Sequence, residues 1–178
     1  MLHVDDEPDF TEVTAAWLER ENERFDVFSA NAASAGLEAA TEDDVDCIVS
    51  DYDMPEMTGL DLLRALRDRG AADVPFIRFT GKGSEDVASE AISAGVTDYL
   101  QKGGGTEQYA ILTNRVRNAV ETARAKRDAR RRETAIETAR EGIGFADGDG
   151  RFRHVNEAFA EDYQPDPGPF SRGAVACT

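Results

Sequence analysis

The chain has 178 residues, 40% of them hydrophobic, which allows one ordinary domain and a remainder, and it offers no run of about eighteen apolar residues to cross a membrane. Its 36 acids against 20 bases leave a net charge of −16, a balance that repels nucleic acid and argues against it as a partner. MLHVDDEPDF lacks the basic and apolar parts of a secretion signal, and two distant cysteines, Cys47 and Cys177, do not make a disulfide framework, so a soluble cytoplasmic protein is expected.

In chain order, Leu2 to Val4 reads as a short strand. Pro8 to Glu21 reads as a helix, with Pro8 suited to a first turn and Phe10, Val13, Ala16 and Trp17 on one face. Phe25 to Ser29 is the next strand and Ala32 to Thr41 a short helix. The apolar run CIV leads a strand over Asp46 to Asp51. Thr58 to Arg69 follows as a helix whose stripe, Leu60, Leu63 and Leu66, stops at Gly70. Val74 to Thr80 is a strand, Ser84 to Ala94 a helix ended by Gly95, and Val96 to Gln101 the last strand. Such alternation predicts an α/β fold, a parallel sheet wound on both faces, with its chemistry outside the carboxyl ends of the strands.

From Glu107 a helical pattern continues to about Arg140, with Ile111, Leu112, Val116, Val120 and Ala123 as its packing stripe. The block ARAKRDARRRE, Ala123 to Glu133, is basic and poor in apolar residues. Thr122, Ala129, Ile136 and Ile143 recur every seven residues, so a dimerising coiled coil and a solvated connecting helix both fit. AREGIGFADGDGRFRHVNEAFAEDYQ then alternates about a turn at Asp147 to Gly150 and closes with an amphipathic piece around Phe159, which predicts a hairpin and helix. The final PDPGPFSRGAVACT has neither period.

The predicted strand ends share one rim. The first delivers Asp5 and Asp6, the third Asp51, the fourth Thr80 and the fifth Lys102. Two carboxylates about 4 Å apart repel by roughly 4 kcal/mol at an effective dielectric of about 20, so a cation belongs among them. A hard divalent ion, Mg²⁺ (or Mn²⁺), suits oxygen ligands and leaves positions for a phosphate, while Lys102 and the Thr80 hydroxyl suit phosphoryl oxygens.

VDDEPD at Val4 to Asp9, DYDMPEMTGLDLL at Asp51 to Leu63, FTGKGSE at Phe79 to Glu85 and AGVTDYLQKG at Ala94 to Gly103 together resemble the receiver domain of two-component response regulators. The resemblance spans residues 1–122 and implies a flavodoxin-like five-stranded parallel sheet of order 2-1-3-4-5 with a C-terminal helical extension. It implies that Asp51 accepts a phosphoryl group from a histidine kinase or phosphotransfer protein. Asp5, Asp6, Asp51 and the backbone carbonyl of Asp53 would hold Mg²⁺, Thr80 and Lys102 would contact the phosphoryl group, and Thr80 and Tyr99 would form the switch. No separate organic cofactor is implied. Gly103, Gly104 and Gly105 stand where the family usually has a proline after the lysine, which frees that loop.

Residues 123–141 are then a linker helix, with a homodimer through it and the last receiver helix as one expectation. Residues 142–178 look like the opening of a PAS sensor domain, and with 37 residues after Glu141 the expectation is a truncated, partly disordered segment. The acidic composition, with three lysines (Lys82, Lys102 and Lys126), resembles proteins of salt-accumulating archaea. Two rival functions remain. A haloacid-dehalogenase-like phosphatase also pairs a strand-end aspartate with an acid two residues on, as in Asp51 and Asp53, but carries its later acids after the lysine. A phosphorylation-independent interaction module is the other.

Overall fold

Three residues suffice for β1 (Leu2–Val4) because it is a central strand, all of it buried and hydrogen-bonded on both sides. Leu2 faces Phe28 and Ile48, and Val4 faces Ala30 and Ser50. The computed structural model describes residues 1–42, 44–81 and 95–162. The predicted helix Ser84 to Ala94 and the stretch PDPGPFSRGAVACT lie outside them. The elements of the sheet and its cover are α1 (Pro8–Glu21), β2 (Phe28–Ala30), α2 (Ala33–Glu42), β3 (Ile48–Ser50), α3 (Gly59–Asp68), β4 (Phe76–Thr80), β5 (Asp98–Gln101) and α4 (Glu107–Glu137). All neighbouring strands are parallel and the order is β2-β1-β3-β4-β5, as expected.

Alternation along each strand divides the core between the two faces. Leu2, Val4, Ile48 and Phe76 pack with Leu37 of α2 and Leu60, Leu63 and Leu66 of α3. Cys47, Val49, Ile77 and Phe79 pack with Leu18 of α1 and Leu112 and Val116 of α4. Each of these fully buried apolar side chains stabilises the fold by about 1.5–3 kcal/mol. Burial pushes the Cys47 thiol up to about 12, so it behaves as an inert core residue.

Several sequence expectations shift. On α1 the buried side chains are Thr11, Thr14 and Leu18, while Val13 is exposed. Two of the three buried side chains are threonines, and the Thr11 hydroxyl donates to the Pro8 carbonyl at 2.7 Å. Phe25 belongs to a turn, its N–H donating to the Asn22 carbonyl, and pairing of β2 begins only at Phe28. Val74 stays outside β4 because Arg67 donates to the carbonyls of Ala71 and Val74. On α4 the buried side chains are Tyr109, Leu112, Thr113, Val116 and Ala119, and Ile111 faces out. Arg115 fixes that rotation by reaching Asp98 and the Tyr99 carbonyl on β5.

The chain divides into two compact units, Met1–Arg124 and Ala125–Thr178. The second holds an antiparallel hairpin, β6 (Gly144–Ala146) with β7 (Phe152–Val155), and a short α5 (Glu157–Asp162). Asn156 is fully buried there. Its amide donates to the carbonyls of Ile136 and Glu141 and its oxygen accepts from the N–H groups of Ile143 and Phe159. This capture of carbonyls ends α4 at Glu137 rather than Arg140, so Ile143 is off the helix and the four-residue heptad seam is not continuous. Asp147 anchors the hairpin turn by accepting from the N–H groups of Asp149 and Arg151.

Candidate functional site

Asp5 and Asp51 each sit one residue past the end of a central strand. The Asp51 N–H donates to the Val4 carbonyl at 2.8 Å and the Asp5 N–H to the Ala30 carbonyl at 3.0 Å, which sets both carboxylates at the same rim. Asp6, half-buried, completes the group. One ligand atom from each of Asp5, Asp6 and Asp51 lies within 4.8 Å of the others. Three carboxylates converging in this way are the kind of all-oxygen donor set that suits a hard divalent ion such as Mg²⁺.

The Lys102 ammonium enters the same cluster, 2.6 Å from Asp5 Oδ2 and 3.5 Å from Asp51 Oδ1. Its backbone is fixed by an N–H that donates to the Thr80 carbonyl at 2.8 Å, continuing the ladder of β4 and β5. The freedom expected from Gly103, Gly104 and Gly105 is limited by Gln108, whose side-chain oxygen accepts from the Gly103 N–H at 2.7 Å. The Phe10 ring lies beneath the ammonium at 4.4 Å, a cation–π contact that takes this side chain out of the purely apolar role the helical stripe suggests.

Electrostatics follow from burial. Asp5 is fully buried, and that pushes its carboxyl above the ordinary value against the downward pull of Lys102 and of the Glu7 N–H. An acid held up by desolvation has the most to gain from a second cation. His3, also fully buried, is brought down to about 4, first by burial and then by the charge of Lys102. It is neutral near pH 7, with Nε2 at 4.0 Å from Asp5 Oδ2.

The loop after β3 is held tightly. The Ser50 hydroxyl donates to the Asp51 carbonyl at 2.8 Å, and the Gly59 N–H donates to the Tyr52 carbonyl at 2.9 Å. A Cβ on Gly59 would stand 2.2 Å from the Asp51 carbonyl oxygen, so only glycine lets α3 start this close to the aspartate. Asp53 is exposed on this loop, two residues beyond Asp51. Thr80 is buried at the end of β4, and Tyr99 is half-buried on β5 opposite Arg78. Asp5, Asp6, Asp51 and Lys102 are thus gathered at one point, with Thr80 and Tyr99 on the adjoining strands. The sequence reading missed Gly59, Phe10, Gln108 and Arg78. Gly59 was visible as the glycine closing CIVSDYDMPEMTG, whereas Phe10 and Arg78 act through contacts distant in the chain and Gln108 through a loop contact that no period marks.

The response regulator receiver domain family matches residues 1–113. Response regulator SaeR of Staphylococcus epidermidis is 29% identical over 116 residues, 64% of this chain and 48% of that protein, so the chain spans about half the length of the curated relatives it matches. Among solved structures, a response regulator receiver domain protein from Clostridium thermocellum superposes with a TM-score of 0.61 at 27% identity, covering 70% of this chain and 95% of the other. Chemotaxis protein CheY4 of Vibrio cholerae gives a TM-score of 0.59 at 27% identity, covering 65% and 95%. With the rim of acids, the lysine and the strand order all in one unit, the chain belongs to the response regulator receiver domain family of two-component systems.

Proposed function

We propose that Asp51 is the phosphoacceptor of a phosphorelay. The observation that carries this reading is one carboxylate, 7% exposed, with two further acids within 4.8 Å and an ammonium at 3.5 Å. Asp51 Oδ attacks the phosphorus of a phosphohistidine on a histidine kinase or phosphotransfer protein. The P–N bond breaks as the P–O bond forms, the imidazole keeps the electron pair and takes up a proton, and Asp51 becomes an aspartyl phosphate. Asp5, Asp6, Asp51 and the Asp53 carbonyl would hold Mg²⁺ or Mn²⁺, which neutralises charge on the transferring group. The chain supplies alignment and positive charge, which is most of what phosphoryl transfer asks of a protein.

Lys102 then contacts a phosphoryl oxygen, and the Thr80 hydroxyl donates to another. The new group brings about −1.5 to −2 charges, enough to reposition Thr80 and, with it, Tyr99. The altered state passes along α4, and aspartyl-phosphate hydrolysis resets it slowly.

Acetyl phosphate with Mg²⁺ tests the reading by intact mass. Wild type is expected to gain one phosphoryl group and Asp51→Asn none. Equal labelling of the two proteins would place the acceptor elsewhere, and rapid multiple turnover of small phosphate esters would favour a phosphatase over a switch.

A further inference from the structure

Arg78 lies in the middle of β4, 1% exposed, between strands on either side. A guanidinium is a costly filler for that position, since an apolar side chain of similar volume would pack there without losing hydration. Its neighbours compensate it with aromatic faces. The guanidinium carbon is 3.7 Å from the centroid of the Tyr52 ring and 5.6 Å from that of Tyr99, both inside the range of about 6 Å for a cation–π contact. Burial lowers the Arg78 pKa, and Tyr52, Tyr99, Asp51 and Asp53 oppose that fall in this order.

The two rings come from the two ends of the switch. Tyr52 follows Asp51 directly on the loop after β3. Tyr99 is paired with Arg78 across the β4 and β5 ladder, so the two side chains share a face of the sheet. One cation therefore touches the loop that bears the candidate phosphoacceptor and the candidate switch tyrosine.

We propose that Arg78 is a positioning residue of the switch, its buried guanidinium bridging the rings of Tyr52 and Tyr99 and so coupling the Asp51 loop to Tyr99. The proposal rests on the reading of Asp51 as phosphoacceptor. Charge added at Asp51 draws the guanidinium toward the loop, and the Tyr99 ring, held to the same cation, follows it inward. The coupling has a physical carrier, a cation–aromatic stack, and runs alongside the movement of Thr80.

Fluorine NMR of the full chain labelled with 3-fluorotyrosine reads this directly, because the chain has four tyrosines and each resonance is assigned by a Tyr→Phe variant. On addition of Mg²⁺ and beryllofluoride, the Tyr52 and Tyr99 resonances of wild type are expected to shift with one saturation curve. In Arg78→Met the Tyr52 response persists and the Tyr99 response is lost. Arg78→Lys, which keeps the charge without the planar face, restores part of it. A Tyr99 response of wild-type size in folded Arg78→Met overturns the proposal.

If wild type neither binds beryllofluoride nor labels at Asp51, the phosphoacceptor reading fails, and the coupling proposed here fails with it. The bridge itself is then judged in the unliganded protein. Arg78→Met must displace the resting resonances of both tyrosines, and an unmoved Tyr99 resonance shows that there is no bridge. Should Arg78→Met fail to fold, Tyr52→Leu removes one side of the bridge. It is expected to weaken the Tyr99 response, and an unaltered response overturns the proposal.

Discussion

Lys102 sits 2.6 Å from Asp5 and 3.5 Å from Asp51, an arrangement that holds a cation where the proposed phosphoryl group would arrive. The neighbouring His3 gives a pH test. Its folded value of about 4 lies below the ordinary 6.5, so as pH falls the unfolded chain takes the proton first. The stability it contributes is complete above about pH 6.5 and is lost as pH falls through 6.5 toward 4, on the order of 3 kcal/mol over the whole window. Urea denaturation at several pH values should show a shallower acid limb for His3→Leu than for wild type, and parallel limbs would reject the assignment. Gly59→Ala sets a methyl against the Asp51 carbonyl oxygen, so it should destabilise by about 1–3 kcal/mol and slow labelling of Asp51. Calorimetry and the acetyl-phosphate assay check the two parts separately.

At the scale of the element, α3 illustrates how local chemistry positions the site. Thr58 accepts from the Asp61 N–H at 3.2 Å while the Asp61 carboxylate accepts from the Thr58 N–H at 3.3 Å, a reciprocal cap that pins the helix start beside Asp51. The Thr58 hydroxyl is the chief cause of the lowered Asp61 pKa, followed by the Thr58 N–H. Thr58→Ala should cost about 1 kcal/mol, seen as a lower melting temperature, with labelling of Asp51 retained. An unchanged melting temperature would mean the cap contributes nothing. The Leu60, Leu63 and Leu66 stripe and the stop at Gly70 are local, and so the helix was legible in the sequence. The rotation of α4 was not, because the inward choice of Tyr109 over Ile111 depends on Arg115 meeting Asp98 across the fold.

For the whole molecule, a net charge of −16 sets the response to salt. Screening shortens the reach of self-repulsion from about 30 Å at 0.01 M to about 3 Å at 1 M, so the melting temperature should climb between those conditions. A flat profile would show that the acids are already balanced in the folded protein. Alternating strand and helix signals, with an acid, a hydroxyl or a lysine at successive strand ends, sufficed to predict a parallel sheet wound on both faces and to nominate Asp5, Asp6, Asp51, Thr80 and Lys102, while the strand order came from the family resemblance. Those signals are written in neighbouring residues, because strand alternation and helical periodicity are properties of the local backbone. The tertiary structure alone decided that Phe10 lies beneath Lys102, that Gln108 restrains the glycine loop and that Arg78 sits between Tyr52 and Tyr99. The Phe10 and Arg78 contacts join side chains from different elements, and the Gln108 contact joins a helix side chain to the backbone of the preceding loop; their meeting depends on how the segments pack, which strand alternation and helical periodicity do not encode.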